Sequence, residues 1–160
     1  MLRVKRLDHF GVDVADLDRA ESFYTSLLGM SVEMRLPDQV LLRYGDGNLA
    51  LFFKPNRVPG GRELIENPLG KSHHAFEVSW EDLQTARSLF AERGIPHHAP
   101  INWGDHDCLY FLDPDGNLLE LVGYRVAPSP SSSGVGAGAP DSLTLPLPTG
   151  KRRRGKGDGP

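Results

Sequence analysis

His9-Phe10-Gly11-Val12-Asp13-Val14 and, 64 residues further on, His73-His74-Ala75-Phe76-Glu77-Val78 decide how this chain is read. Each stretch sets a histidine five residues ahead of a valine, and a helical pattern follows each. Behind Asp16, the residues Leu17, Ala20, Phe23/Tyr24 and Leu27/Leu28 recur at the spacing that lines one side of a helix. Leu83, Ala86 and Leu89/Phe90 do the same behind Ser79. Asp16 and Ser79 are the expected N-caps, with Asp82 at capping-box distance from Ser79, and Gly29 and Gly94 suit the left-handed residue that ends a helix.

Short strand-like segments follow each helix: residues 30–36, 39–44 and 48–54 in the first half, and 96–101, 108–112 and 117–124 in the second. The turns between them are Pro37-Asp38, Gly45-Asp46-Gly47 and Asp113-Pro114-Asp115-Gly116. Each half then reads β-α-β-β-β, with modules at about 4–54 and 73–124. The closing strands match too, Gly47 to Phe53 against Gly116 to Val122, which sets Leu51 opposite Glu120. A repeated unit with one apolar sheet face must bury it against its copy. The expected fold is therefore α+β, two paired modules whose curved sheets surround a shared cleft. The Gly/Pro-rich loop 55–72 is a candidate cover for that cleft.

Composition divides the chain after Arg125. The first 125 residues carry 13 Lys/Arg against 19 Asp/Glu, a balance of −6, and the last 35 carry 5 against 2, or +3, which together give the formal −3. Residues 126–160 contain no aromatic residue and 13 Gly plus Pro, a composition expected to stay disordered. Residues 1–125 hold all the aromatics and suit one domain. No apolar run approaches the roughly 18 residues that would span a bilayer. With the single Cys108 no intrachain disulfide can form, so a reducing cytoplasm is expected. An acidic body argues against a nucleic-acid surface, the basic stretch 151–156 apart.

The repeat puts His9 and His73 at equivalent positions on the first strand of each half, and Glu120 on the last strand of the second. Two imidazoles and a carboxylate on strands around one cleft form a possible ligand set that leaves positions open on a divalent ion. The competing reading is two polar strand-end histidines and a solvated charge. The apolar neighbours Leu118, Leu119, Leu121 and Val122 around Glu120 weigh against it.

Leu7-Asp8-His9, Val14-Ala15-Asp16-Leu17, Phe23-Tyr24, Leu27-Leu28-Gly29-Met30 and the run Tyr110-Phe-Leu-Asp-Pro-Asp-Gly-Asn-Leu-Leu-Glu120-Leu121 together resemble the vicinal oxygen chelate superfamily. That group includes glyoxalase I, bleomycin-resistance proteins, fosfomycin-resistance enzymes and extradiol dioxygenases. The resemblance covers residues 4–124. It implies paired β-α-β-β-β modules, usually a homodimer, and a divalent ion that chelates two neighbouring oxygens of a small substrate. The ligands it implies fall on His9, His73 and Glu120, and His74 points to the other face of its strand. The ion could be Fe, Mn, Zn or Ni, since such a set suits all four.

Departures from family members narrow the reaction. Glyoxalase I resembles this chain but brings a further glutamate on the last strand of its first half, where residues 48–54 offer no carboxylate. Fosfomycin thiol transferases carry a lysine about twenty residues before the glutamate, where this chain has Pro100. Extradiol dioxygenases share the Tyr110 to Glu120 run, but the histidine they place behind the metal ligands lies several residues further upstream than His106. The expectation is a metal-dependent, dioxygenase-like or related enzyme. The alternative is a metal-free, bleomycin-resistance-like binding protein.

Strand parity sets His106, Cys108 and Tyr110 on one face. His106 is a candidate for proton transfer or a solvated turn histidine. Tyr110 is a candidate hydrogen-bond donor to substrate or a sheet-filling aromatic. Cys108 reads as a small core residue, His97 and His98 as surface, and Arg43 as a solvated strand charge.

Overall fold

The computed structural model describes residues 1–125. Its order is β1 (His9–Val14), α1 (Leu17–Leu28), β2 (Ser31–Arg35), β3 (Gln39–Tyr44), β4 (Gly47–Phe53), α2 (Glu63–Glu66), β5 (His74–Val78), α3 (Trp80–Glu92), β6 (Ile101–Asn102), β7 (His106–Leu112) and β8 (Leu118–Tyr124). The strands form two four-stranded sheets, ordered β1-β4-β3-β2 and β5-β8-β7-β6. In each, the first strand pairs parallel with the last and the other pairings are antiparallel. This is the α+β repeat expected from the sequence. The expected tail, 126–160, lies outside the described residues.

The two long helices, α1 and α3, start and stop as their end residues dictate. The Asp16 carboxylate accepts from Arg19 N–H at 3.0 Å, and Ser79 Oγ accepts from Asp82 N–H at 3.0 Å while donating its own proton to the Asp82 carboxylate at 2.7 Å. Gly29, at φ 64°, turns the chain left-handed and returns its N–H to Tyr24 O.

The helix-facing residues of both modules merge into one core. Val12, Val14, Tyr24, Val40, Leu42 and Leu51 from the first pack with Phe76, Leu83, Phe90, Phe111 and Leu121 from the second. The first strands meet there, the Phe10 ring stacking on His74 with centroids 4.1 Å apart. A smaller cluster of Cys108, Tyr110, Leu112 and Leu118 lies on the other face of the second sheet, capped by Ile65. Loop 55–72, expected over the shared cleft, lays a helical turn that the sequence did not announce on this face of the second sheet. Among the described residues the equivalent face of the first sheet has no such cap, and Met34 is 41% exposed.

Two expectations need correcting. The register pairs Gly11 with Ala50 and its repeat counterpart Ala75 with Glu120, so Ala50, not Leu51, is the counterpart of Glu120. Leu51 is fully buried on the helix side. The strand expected over 96–101 shrinks to Ile101–Asn102, with only a bridge from His97 to Phe111 before it. Pro96 and Pro100 have no N–H to give a ladder.

The modules are also latched at one end by the turn after β7. Tyr24 O–H donates to Asp113 at 2.8 Å, while Ala15 N–H and the Arg19 guanidinium both donate to Asp115 Oδ1, at 2.9 and 2.8 Å. Asp115 is completely buried, and its Oδ2 has no hydrogen-bond partner among the described residues. Arg57 ties loop 55–72 to the same turn through Asp115 O (3.2 Å) and Asn117 Oδ1 (2.5 Å).

Candidate metal centre

Register places the polar groups. On β8, alternate residues face opposite sides, so Leu119 and Leu121 enter the main core and Glu120 enters the capped face of the second sheet. Tyr110 sits directly across from it in the β7–β8 ladder. Glu120 is only 5% exposed, and an ionised carboxylate there needs a counter-charge or hydrogen-bond donors. His73, just ahead of β5, supplies one contact, with Nε2 2.8 Å from Glu120 Oε2. The Tyr110 ring stands edge-on to the His73 ring at 5.2 Å.

The proton inventory of His73 is informative. Its Nδ1 lies 2.7 Å from the Lys71 carbonyl oxygen, which can only accept, so Nδ1 carries a proton. In the neutral ring Nε2 then holds a lone pair. A lone pair facing a carboxylate oxygen at 2.8 Å requires something positive between or beside them, a proton or a metal ion. His9 repeats the arrangement on the first module: its Nδ1 lies 2.9 Å from Asp8 Oδ2, which leaves Nε2 free. The His9 hydrogen bond holds the Asp8 carboxyl below its ordinary value. A carboxylate or carbonyl fixing Nδ1 is the support that metal-binding histidines have, so the donor set fits a divalent ion.

Of the three expected ligands, the structure brings His73 and Glu120 together. His9 remains apart, half-exposed beside Asp8. Among the described residues no group of three His, Cys, Asp or Glu side chains is assembled to hold an ion. Cys108 and Tyr110 flank Glu120: burial, and then the Glu120 carboxylate, push the thiol up to about 12 and the phenol above its ordinary value. Cys108 is therefore a protonated core residue, as its burial suggested. His106 shares the face of Cys108 and Tyr110, but its partners are Asp105, at 2.7 Å, and the rings of Trp103 and Tyr124. His74 turns the other way onto Phe10, and burial, then His73, lower its pKa. Arg43 pairs with Glu33 on the neighbouring strand.

Beside His73 a cleft of about 360 Å³ opens between the modules, with Gly11, Asp13 and Phe52 on one side and Arg57 and Asn117 on the other. A Cβ on Gly11 would sit 2.5 Å from the Phe52 ring, which would have to turn aside. Sequence reasoning missed Arg57, whose position depends on contacts 58 and 60 residues away.

The family model of the glyoxalase/bleomycin resistance protein/dioxygenase superfamily matches residues 6–121. The chain belongs to that superfamily. It is 28% identical over 118 residues to a glutathione transferase FosA of Serratia marcescens, covering 74% of this chain and 80% of that one. It is 30% identical over 119 residues to a biphenyl-2,3-diol 1,2-dioxygenase of Rhodococcus globerulus, covering 72% of this chain and 62% of the dioxygenase. Among solved structures, the fosfomycin resistance protein FosX of Listeria monocytogenes superposes with TM-score 0.63 at 16% identity, covering 76% of this chain and 94% of FosX. Lactoylglutathione lyase of Agrobacterium tumefaciens gives 0.56 at 22%, covering 75% and 94%. These two likenesses concern the fold alone. Among the described residues no helix is long and apolar enough to cross a membrane.

Proposed function

We propose that this superfamily member is a divalent-metal-dependent enzyme acting on a small substrate with two neighbouring oxygens. The supporting observation is the His73–Glu120 pair, a lone-pair nitrogen and a buried carboxylate oxygen 2.8 Å apart, with Nδ1 of the histidine fixed by a backbone carbonyl. His9, whose free Nε2 is prepared by Asp8, is the third ligand. It sits on the uncapped sheet, and we assign its junction with the pair to a homodimer in which a second copy covers that face.

An ion held there would act as a Lewis acid, stabilising negative charge that develops on a chelated enolate or catecholate. The chain's own groups do the rest. Tyr110, protonated at neutral pH, presents its O–H beside the pair and can donate to a substrate oxygen. His106, held by Asp105 on the same face, is the group proposed to carry a proton to and from solvent. Ile65 and its loop exclude water from the Glu120 side.

The test is metal analysis of protein purified anaerobically without chelator, followed by a screen with catechols, α-ketoaldehyde–thiol adducts and epoxides. About one ion per chain, lost in His9→Ala and Glu120→Gln, is expected. Mixing these two variants should restore part of the sites if they span two chains. Protein without stoichiometric metal would favour a metal-free binding role.

A further inference from the structure

The face of the second sheet that carries Glu120 and Tyr110 continues beyond them. Side chains alternate along a strand, so Val122 and Tyr124 follow Glu120 on that face of β8, and Cys108 and His106 lie opposite them on β7. Tyr124 is four residues on from Glu120, about 13 Å along the strand at roughly 3.3 Å per residue. There the face ends in three rings. The Tyr124 ring lies 5.1 Å from the His106 imidazole, and the Trp103 indole stands within 16° of parallel to that imidazole at 6.5 Å.

The backbone fixes Trp103 in this place. Its N–H donates to His106 O at 2.9 Å, and the turn that follows runs through Gly104, at φ 97°, whose N–H donates to Asn102 Oδ1 at 2.8 Å. Trp103 and Tyr124 nevertheless stay 42% and 38% exposed. Adjoining rings held in position and left in water mark a contact surface, and exposed ring faces and edges favour other rings as partners. Along the strip between, Val122 is half-buried and the β5 neighbours of Glu120 and Val122, Ala75 and Glu77, are exposed. The way from Glu120 to the rings is therefore open on the β5 side, while Ile65 covers Cys108 and Tyr110 on the other.

We propose that Trp103 and Tyr124 form the far end of the substrate site and take an aryl group, carried on an arm that reaches about 13 Å along β8 from the metal centre. The assignment rests on the metal reading of His73 and Glu120, and it names the substrate class: a compound with two neighbouring oxygens at one end and an aromatic ring at the other.

Caffeic acid phenethyl ester and caffeic acid methyl ester share the catechol oxygens and differ in whether a phenyl ring lies at that reach. Each is titrated calorimetrically into the full-length protein, purified anaerobically with its metal. The phenethyl ester is expected to bind at least about tenfold more tightly. Trp103→Ala and Tyr124→Ala should each cut that ratio to about threefold or less with the methyl ester unchanged, and Trp103→Phe should keep it. Glu120→Gln should weaken both esters together. A ratio that neither alanine variant lowers would overturn the aryl subsite and leave the metal reading standing. Undiminished binding of both esters to Glu120→Gln would instead remove the metal reading, and the proposal with it. Conversion of a dimer to a monomer in Trp103→Ala, seen by sedimentation, would make the rings an interface between copies and would likewise overturn the proposal.

Discussion

His73 Nε2 stands 2.8 Å from Glu120 Oε2 although the two residues are 47 positions apart and the carboxylate is only 5% exposed. The parallel pairing of β5 with β8 produces this contact, because it brings the start of one strand beside the other. Glu120→Gln keeps the shape and removes the charge that a cation would neutralise. The expected result is a folded protein, by circular dichroism, with less than about a tenth of the wild-type metal content by elemental analysis, the loss of a charged ligand exceeding the 10–100-fold cost typical of outer-shell changes. Full metal content in that variant would remove Glu120 from the ligand set.

Asp8 touches His9 and lies outside the set itself. Its carboxylate orients the imidazole through Nδ1, so Asp8→Asn should weaken metal affinity about 10–100-fold while leaving stability nearly unchanged, since the pair is exposed. Competition with a chromogenic chelator measures the first effect and urea unfolding the second. An unaltered affinity would mean that Nδ1 needs no fixing.

The sequence displayed the modules because periodicity is local: Leu17, Ala20 and Tyr24 fall on one helical side whatever the rest of the chain does, and all three are buried. The candidate ligands His9 and His73 stood out in the sequence through the histidine repeated at the start of each module, and Glu120 as a carboxylate among apolar neighbours. What stayed hidden depends on partners distant in sequence. Asp113 and Asp115 read as turn residues, and their grip on α1 and on Ala15 just ahead of it spans 89 to 100 positions. The one-residue error that set Leu51 against Glu120 arose from aligning the glycines ahead of the closing strands, whereas hydrogen-bond register makes Ala50 the counterpart. The ligand geometry of His9 depends on how modules or copies meet, which strand patterns do not encode.

Tyr24→Phe tests the latch. It removes a buried hydrogen bond to Asp113, a loss of about 1–3 kcal/mol. Burial raises the Asp113 pKa above 3.8, and the bonds from Asn117 and Tyr24 oppose that rise. A carboxyl with a raised folded-state value contributes stability that is present below 3.8 and lost as pH rises through the folded value. Removing Tyr24 O–H raises that value further. Urea titrations should therefore show a larger loss for the variant at pH 8 than at pH 4.5. A pH-independent difference would mean that Asp113 has the same charge in both states throughout.

Gly60 N–H reaches Asp115 O at 3.4 Å where loop 55–72 crosses the turn, and a Cβ on Gly60 would lie 2.3 Å from the Gly116 carbonyl oxygen. Neither backbone can yield alone: Gly116, at φ 73°, sits in the turn that holds Asp113 and Asp115. Gly60→Ala should push the loop off the turn at a cost of about 1–3 kcal/mol, the range for overpacking. Because the same loop carries Ile65 onto Cys108 and Tyr110, the shift should uncap that cluster. The expected readouts are a lower urea midpoint, faster amide exchange at Tyr110 and Leu118, and alkylation of Cys108 at pH 8 that is slow in the wild type. Destabilisation without faster exchange or alkylation would show that the cap holds independently of the Gly60–Gly116 crossing.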